Sequence, residues 1–240
     1  MSVPQTVEAA LADRPVEGAT CLEAGAGVGN TTRGLLEQGA GHVYAVTNNA
    51  EHARDLRSSL NSHEASRTSI LEADLQSTPL QSNAVDLITA HGLCNVVPPS
   101  ALGRISAELA RIAAPGAHLV VDDYEPLPDD AAIRDLFAVE NAASELADGT
   151  PALTFYPSDI LRRVFEGHGL TFDRKRILLD PVPWTVSHVE AHADLARKTA
   201  SDLPRRLADP LAAELDRLVE EIGSESTGTM YSLAFRISER

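Results

Sequence analysis

Glu23, then one residue on Gly25-Ala26-Gly27-Val28-Gly29, is where residue types and spacing speak first to chemistry. Glycines at a strand-to-helix junction let the backbone approach a ligand closely and aim unpaired helix amides at it. A phosphate cradle of the GxxxxGK type needs a lysine, and none stands near this loop. A dinucleotide turn needs a third glycine where this chain has Asn30. What remains is an acid ahead of GxGxG, which fits either a ligand cradle or a turn that only tightens a β–α junction. Elsewhere, Asp122-Asp123 has the chemistry for a hard cation but reads as a solvated loop edge. His188 and His192, at i,i+4 spacing, read as a solvent-facing helix, and no metal site is expected. The cysteines, Cys21 and Cys94, lie far apart and outside any ligand motif, as in a reduced protein.

The elements that would hold these residues alternate. Hydrophobic period and breakers predict a helix over 5–13 and a buried strand over 19–24. A helix over 30–39, a strand over 42–46 and a helix over 50–60 follow. Strands are predicted at 69–73 and 85–90, a helix at 101–113, and a strand at 118–122. Continuous apolar strands joined by helices specify a parallel sheet covered on both faces. The second half departs from that rhythm, with helices at 129–147 and from Ser158 to Gly167, and a strand at 170–178. Helices near 187–201 and 204–222 precede a last strand at 228–237. The expected fold is α/β: a Rossmann-like, seven-stranded, mostly parallel sheet with an antiparallel last strand and helices on both faces. A helical cap, 129–147 with 181–225, completes one domain over 1–240.

The chain has 240 residues, 43% of them hydrophobic, so a substantial core is available. Thirty-five acidic against 20 basic residues give a net charge of −15, and only Lys175 and Lys198 are lysines. Such a balance repels a phosphate backbone, so no nucleic-acid partner is expected. Arg174-Lys175-Arg176 reads as a charged strand edge that discourages strand addition. With no basic leader and no apolar run near twenty residues, the expectation is a cytoplasmic protein without a membrane partner. The sequence leaves the oligomeric state open.

Glu23-x-Gly25-x-Gly27-x-Gly29 resembles the first motif of the class I S-adenosylmethionine-dependent methyltransferases. Glu72-Ala73-Asp74-Leu75 and Asn83-Ala84-Val85-Asp86-Leu87-Ile88 are similar to that family's later motifs. Glu108 to Asp122, with Pro115-Gly116 at its turn, resembles the small-molecule branch. The likeness runs well over 15–125 and in outline over 155–178 and 228–237. It implies S-adenosylmethionine as cofactor, with Glu23, Gly25, Ala26, Gly27 and Gly29 along its methionine side. Asp74 would accept from the adenine amino group and Leu75 would cover the ring. The family's second strand ends in an acid that grips the ribose hydroxyls. Here Thr47 and Asn48 stand in its place, with Glu51 one turn further on as a compensating acid.

The resemblance implies methyl transfer, and the rest of the sequence addresses the acceptor. The Asn/Asp-Pro-Pro-Tyr signature of amino-methylating enzymes is absent after the fourth strand, where the chain reads His91-Gly92-Leu93-Cys94-Asn95. His91 can act as a base near neutral pH or support the cofactor loop. Tyr124, Glu125, Tyr156 and Trp184 fall where the acceptor pocket is roofed. The expected function is methyl transfer to an O, N or C atom of a small-molecule metabolite. The alternatives are a non-catalytic, regulatory S-adenosylmethionine-binding protein and a protein or RNA methyltransferase.

Overall fold

The computed structural model describes residues 3–238; residues 1–2 and 239–240, the ends of the expected 1–240 span, lie outside the described residues. In chain order the first half carries α1 (Gln5–Leu11), β1 (Thr20–Ala24), α2 (Asn30–Glu37), β2 (His42–Thr47), α3 (Ala50–Ser59), α4 (Ser62–Ser66), β3 (Thr68–Glu72), β4 (Val85–His91), α5 (Pro99–Ile112) and β5 (Ala113–Tyr124). Then come α6 (Ile133–Asp148), α7 (Ser158–Gly167), β6 (Leu170–Leu179), β7 (Pro183–Trp184), α8 (Val186–Ala200), α9 (Arg205–Ile222), β8 (Glu225–Ser226) and β9 (Met230–Ile237). Seven strands form one sheet in the order β3-β2-β1-β4-β5-β9-β6. The first five are mutually parallel, and β9 runs antiparallel between β5 and β6. This is the expected Rossmann-like fold, a seven-stranded, mostly parallel sheet with an antiparallel last strand.

The inner parallel strands β1, β4 and β5 are largely buried on both faces, while the edge strand β3 is only half-buried. Alternate residues feed opposite cores. Cys21, Val43, Leu87 and Val120 point with α1 and α2 into one cluster. Leu22, Ile88, Leu119 and Val121 join α5, α7 and β9 on the other side. A third cluster lies off the sheet, where α6, α8 and α9 enclose Phe137, Trp184, Val189 and Leu215. That cluster is the core of the expected cap. Its small ladder, Pro183–Trp184 against Glu225–Ser226, has no signal in so short a stretch of sequence.

The charged run at 174–176 lies on β6, which is an edge strand as expected, but it is not a solvated fringe. Arg174 pairs with Asp13 at 2.8 Å and donates to the Ala10 carbonyl. Arg176 donates to the Ala9 carbonyl. Lys175 reaches Glu125 at 2.8 Å and the Ser158 hydroxyl at 2.6 Å. The run therefore fastens α1 and the start of α7 to the sheet.

A second clasp holds the segment after β3. Glu108 of α5 accepts from the Thr78 amide at 2.7 Å and its hydroxyl at 2.6 Å. Arg111 bonds both Glu108 and the Leu80 carbonyl. Arg111 above all, opposed by burial and helped by Thr78, holds the Glu108 carboxyl down at about 2. Glu108→Gln should cost about 1–3 kcal/mol at neutral pH. With the folded carboxyl depressed from 4.5 to about 2, the native advantage is complete above pH 4.5 and fades as pH falls towards 2. Urea melts of both proteins at pH 7 and pH 3 measure this, and an equal gap at both would contradict it.

Candidate functional site

The chain moves outward through β2 and β3, then returns to place β4 against β1, so strand order reverses between β1 and β4. At such a reversal the loops at the carboxyl ends diverge and leave a crevice. The glycine loop follows β1, Thr47 ends β2, Asp74 follows β3, and His91 ends β4.

Gly29 opens α2 with φ of +81° and has no side chain to cap the helix. Glu23 takes over that task from the strand, accepting from the Thr32 amide at 2.9 Å and from the Thr32 hydroxyl. A helix N-terminus leaves such amides unpaired, and a carboxylate there is doubly favourable. Burial raises the Glu23 pKa, against the opposing pull of Thr32, Thr31 and the nearby His91. Glu23 thus fixes the loop rather than lining the crevice. Gly27 fronts open space, since a Cβ built there meets nothing within 4 Å.

A cleft of about 340 Å³ lies beside the loop, bounded by Gly25, Thr47, Asn48, Asp74 and Leu75 at one side and by Leu93, Val97 and Ile105 at the other. Its apolar walls form a slot suited to a flat base. Asp74 at its rim accepts from the Gln76 amide at 2.8 Å and keeps acceptor capacity. The Thr47 hydroxyl oxygen accepts from the Asn49 amide at 3.2 Å, leaving its own proton to donate. The donor set fits the nucleoside of S-adenosylmethionine, and both residues that the resemblance assigns to the ribose, Thr47 and Asn48, are neutral. Glu51 stays exposed on α3 and does not bound the cleft, so it does not replace the missing acid. Ala26 is buried behind the loop.

Past the end of β4 the segment 91–97 forms a partition. Leu93, Val96 and Val97 face the cleft, whereas Gly92 and Asn95 face a second cavity of about 260 Å³. Tyr124, Phe155, Trp184, His188 and His192 also bound that cavity. Tyr124 and Trp184 are therefore in its wall, while Glu125 is occupied with Lys175 and Ser158. At the root of the partition His91 Nδ1 lies 2.9 Å from Asp122 Oδ2, because the β4–β5 register sets these two residues side by side. Burial opposes charge on His91, but the Asp122 hydrogen bond, with the charges of Asp122, Glu23 and Asp123, outweighs it and raises the pKa.

Asp122 and Asp123 thus lie inside β5, 4% and 0% exposed, rather than on a solvated loop edge. Asp123 accepts the Asn95 and Tyr124 amides at 3.0 and 2.9 Å, and burial pushes its pKa up to about 7. No group of three or more metal-binding side chains occurs among the described residues. Three buried polar atoms around the partition, Asp122 Oδ1, Asn95 Oδ1 and the Tyr156 hydroxyl, have no hydrogen-bond partner among the described residues. Such atoms are costly unless something bonds them. The sequence singled out His91 and Tyr156 but missed the pairing with Asp122, since only strand register reveals it.

Residues 21–116 match the methyltransferase-domain family. No curated protein matches the sequence. Among solved structures, the chain is similar to the [4+2]-cyclase SpnF at 14% identity and a TM-score of 0.67, covering 98% of this chain and 80% of that one. It is also similar to the geranyl diphosphate C-methyltransferase from Streptomyces coelicolor bound to Mg2+, geranyl diphosphate and S-adenosyl-L-homocysteine (15% identity, TM-score 0.61, 96% and 76% covered). A third is the protein complexed with the Haloferax volcanii Trm112 methyltransferase activator (18% identity, TM-score 0.60, 98% and 89% covered).

Two glycines of the loop should respond differently to a side chain. Gly27→Val adds atoms only to open space, so the fold should persist while the Kd for S-adenosylhomocysteine rises at least about tenfold. Gly29→Val drives a Cβ into Leu56 Cδ1 at positive φ and should lower Tm instead. Calorimetry and thermal melts of both variants check this; unchanged binding by the Gly27 variant would remove the loop from the cofactor site.

Proposed function

We propose that this chain, a class I S-adenosylmethionine-dependent methyltransferase by its domain and fold, methylates an oxygen or nitrogen of a neutral small molecule held in the aromatic cavity. The observation that carries the acceptor assignment is the His91–Asp122 pair, at the root of the segment whose Gly92 and Asn95 bound that cavity. Bound in the cleft, S-adenosylmethionine supplies a methyl group on a positively charged sulfur.

The protein's own part is to align the acceptor, exclude water and move one proton. Asp122 Oδ2 accepts the Nδ1 proton, which fixes the tautomer and leaves the lone pair on Nε2. Nε2 takes the proton from the acceptor's O–H or N–H as the new bond to carbon forms and the carbon–sulfur bond breaks. The pKa of His91, raised by Asp122, makes it a stronger base for that proton. A base at this position serves a nucleophile that carries a proton to be removed, hence an O–H or N–H acceptor over carbon. The cap supplies the walls and keeps bulk water from the transfer.

Cofactor binding without turnover has one feature in its favour, the neutral Thr47 where a charge would hold the ribose more tightly. It leaves the dyad and its unpartnered neighbours without a use. A net charge of −15 repels an RNA backbone and so disfavours an RNA acceptor.

Incubation of a cell extract with the protein and methyl-labelled S-adenosylmethionine should put label in the low-mass fraction. Label confined to RNA or protein would contradict the reading. With the acceptor so obtained, the rate should rise with pH through the ionisation of His91, which must be unprotonated to act. Its midpoint lies above the ordinary histidine value of 6.5. Asp122→Asn removes the charge that raises this pKa, so the acid limb should move to lower pH while kcat falls about a hundredfold. An unmoved limb would take His91 out of the chemistry.

A further inference from the structure

At its cap end the aromatic cavity is bounded by two histidines of α8, His188 and His192, and Nδ1 of His192 lies 2.9 Å from Oε2 of Glu140 on α6. The sequence reading left His192 on a solvent-facing helix. Instead its ring packs edge-on against Phe137 at 4.7 Å, and its carboxylate partner is only 2% exposed. A buried carboxylate tied to one histidine between two helices contributes little to stability, because desolvation offsets the attraction and an apolar pair of similar volume serves as well or better. Helix packing does not account for it. Nδ1 is the ring atom taken by Glu140, and no hydrogen bond among the described residues engages Nε2.

We infer that the Glu140–His192 pair is an acceptor-binding device, reading a hydrogen-bond donor at the end of the acceptor away from the transferred methyl. The inference rests on the assignment of the aromatic cavity to the acceptor. Glu140 acts as a positioning residue: by accepting a hydrogen bond from Nδ1–H it holds the tautomer that leaves Nε2 as a lone-pair acceptor for the ligand. The cavity therefore selects a neutral, ring-containing molecule with a hydroxyl or amine at each end, one toward His91 and one toward His192. A carboxylate or phosphate at the far end meets no favourable group, since no lysine or arginine bounds the cavity among the described residues. The Trp184 indole is already satisfied by the Thr227 carbonyl at 3.1 Å and does not compete for this role.

Three probes of one skeleton separate the possibilities: 2,6-dihydroxynaphthalene, 2-naphthol and 6-hydroxy-2-naphthoate. They are titrated by calorimetry at pH 8 into protein saturated with S-adenosylhomocysteine. The diol should bind about tenfold tighter than the naphthol, the worth of one well-placed hydrogen bond, and the naphthoate should bind most weakly. In His192→Phe, which keeps a ring against Phe137, the diol and the naphthol should bind alike. Glu140→Gln, whose amide oxygen still accepts from Nδ1, should retain most of the preference, whereas a merely structural pair would show no such rescue. Equal binding of diol and naphthol by the native protein, or a preference that survives His192→Phe, overturns the inference while leaving the cavity assignment standing. Tightest binding of the naphthoate overturns it in favour of an anion site. No binding of any probe overturns the inference together with the assignment of the cavity to the acceptor.

Discussion

The reversal of strand order between β1 and β4 is the constraint on which the rest of the site depends. Because the chain leaves β1 in one direction and returns beside it in the other, the loops after these strands diverge, and a crevice opens at their carboxyl ends. Each candidate site residue is placed by where a strand stops. Gly25 follows β1, Thr47 closes β2, Asp74 trails β3, and His91 is the last residue of β4. The parallel register then sets His91 beside Asp122 without any local motif to announce it.

Two devices keep this geometry firm. Glu23 caps a helix that begins on a glycine, so the loop is held from the strand side and its open face stays free. Glu108 and Arg111 clasp the segment that carries Asp74 and Leu75. Both are buried or half-buried carboxylates serving backbone amides, which is where a carboxylate is most useful in a folded interior. At the opposite wall, Asp123 ties the Asn95 amide and so steadies the partition between cleft and cavity. The cap, in turn, contributes the rings of Phe137 and Trp184 together with the Glu140–His192 pair.

The sheet was legible in the sequence because buried parallel strands read as unbroken apolar runs punctuated by glycine and proline. The runs at 19–24, 42–46 and 85–90 fall within a residue of β1, β2 and β4. The fifth strand was underestimated: β5 reaches from Ala113 to Tyr124, through a Pro-Gly pair that reads as a break. That error also hid the acids, since Asp122 and Asp123 look like a loop edge once the strand is ended early. The glycine loop and Asp74 carried a local pattern and could be placed by it. The pairs His91–Asp122, Glu140–His192 and Arg174–Asp13 could not, being made by residues 31, 52 and 161 positions apart. Thr47 is a different case. Its position was readable, yet only the structure shows that its oxygen is engaged by the Asn49 amide and that Glu51 does not reach the cleft.

A fold shared with a [4+2]-cyclase does not by itself fix a reaction, so the weight rests on how the cleft and the aromatic cavity meet. A crystal structure with S-adenosylhomocysteine tests that junction most directly. The adenine should lie between Leu75 and the wall at Ile105, with the sugar at Thr47 and Asn48. The sulfur should face the aromatic cavity past Gly92, on the side of His91. A sulfur turned away from that cavity, or an amino-acid tail filling it, would contradict the account.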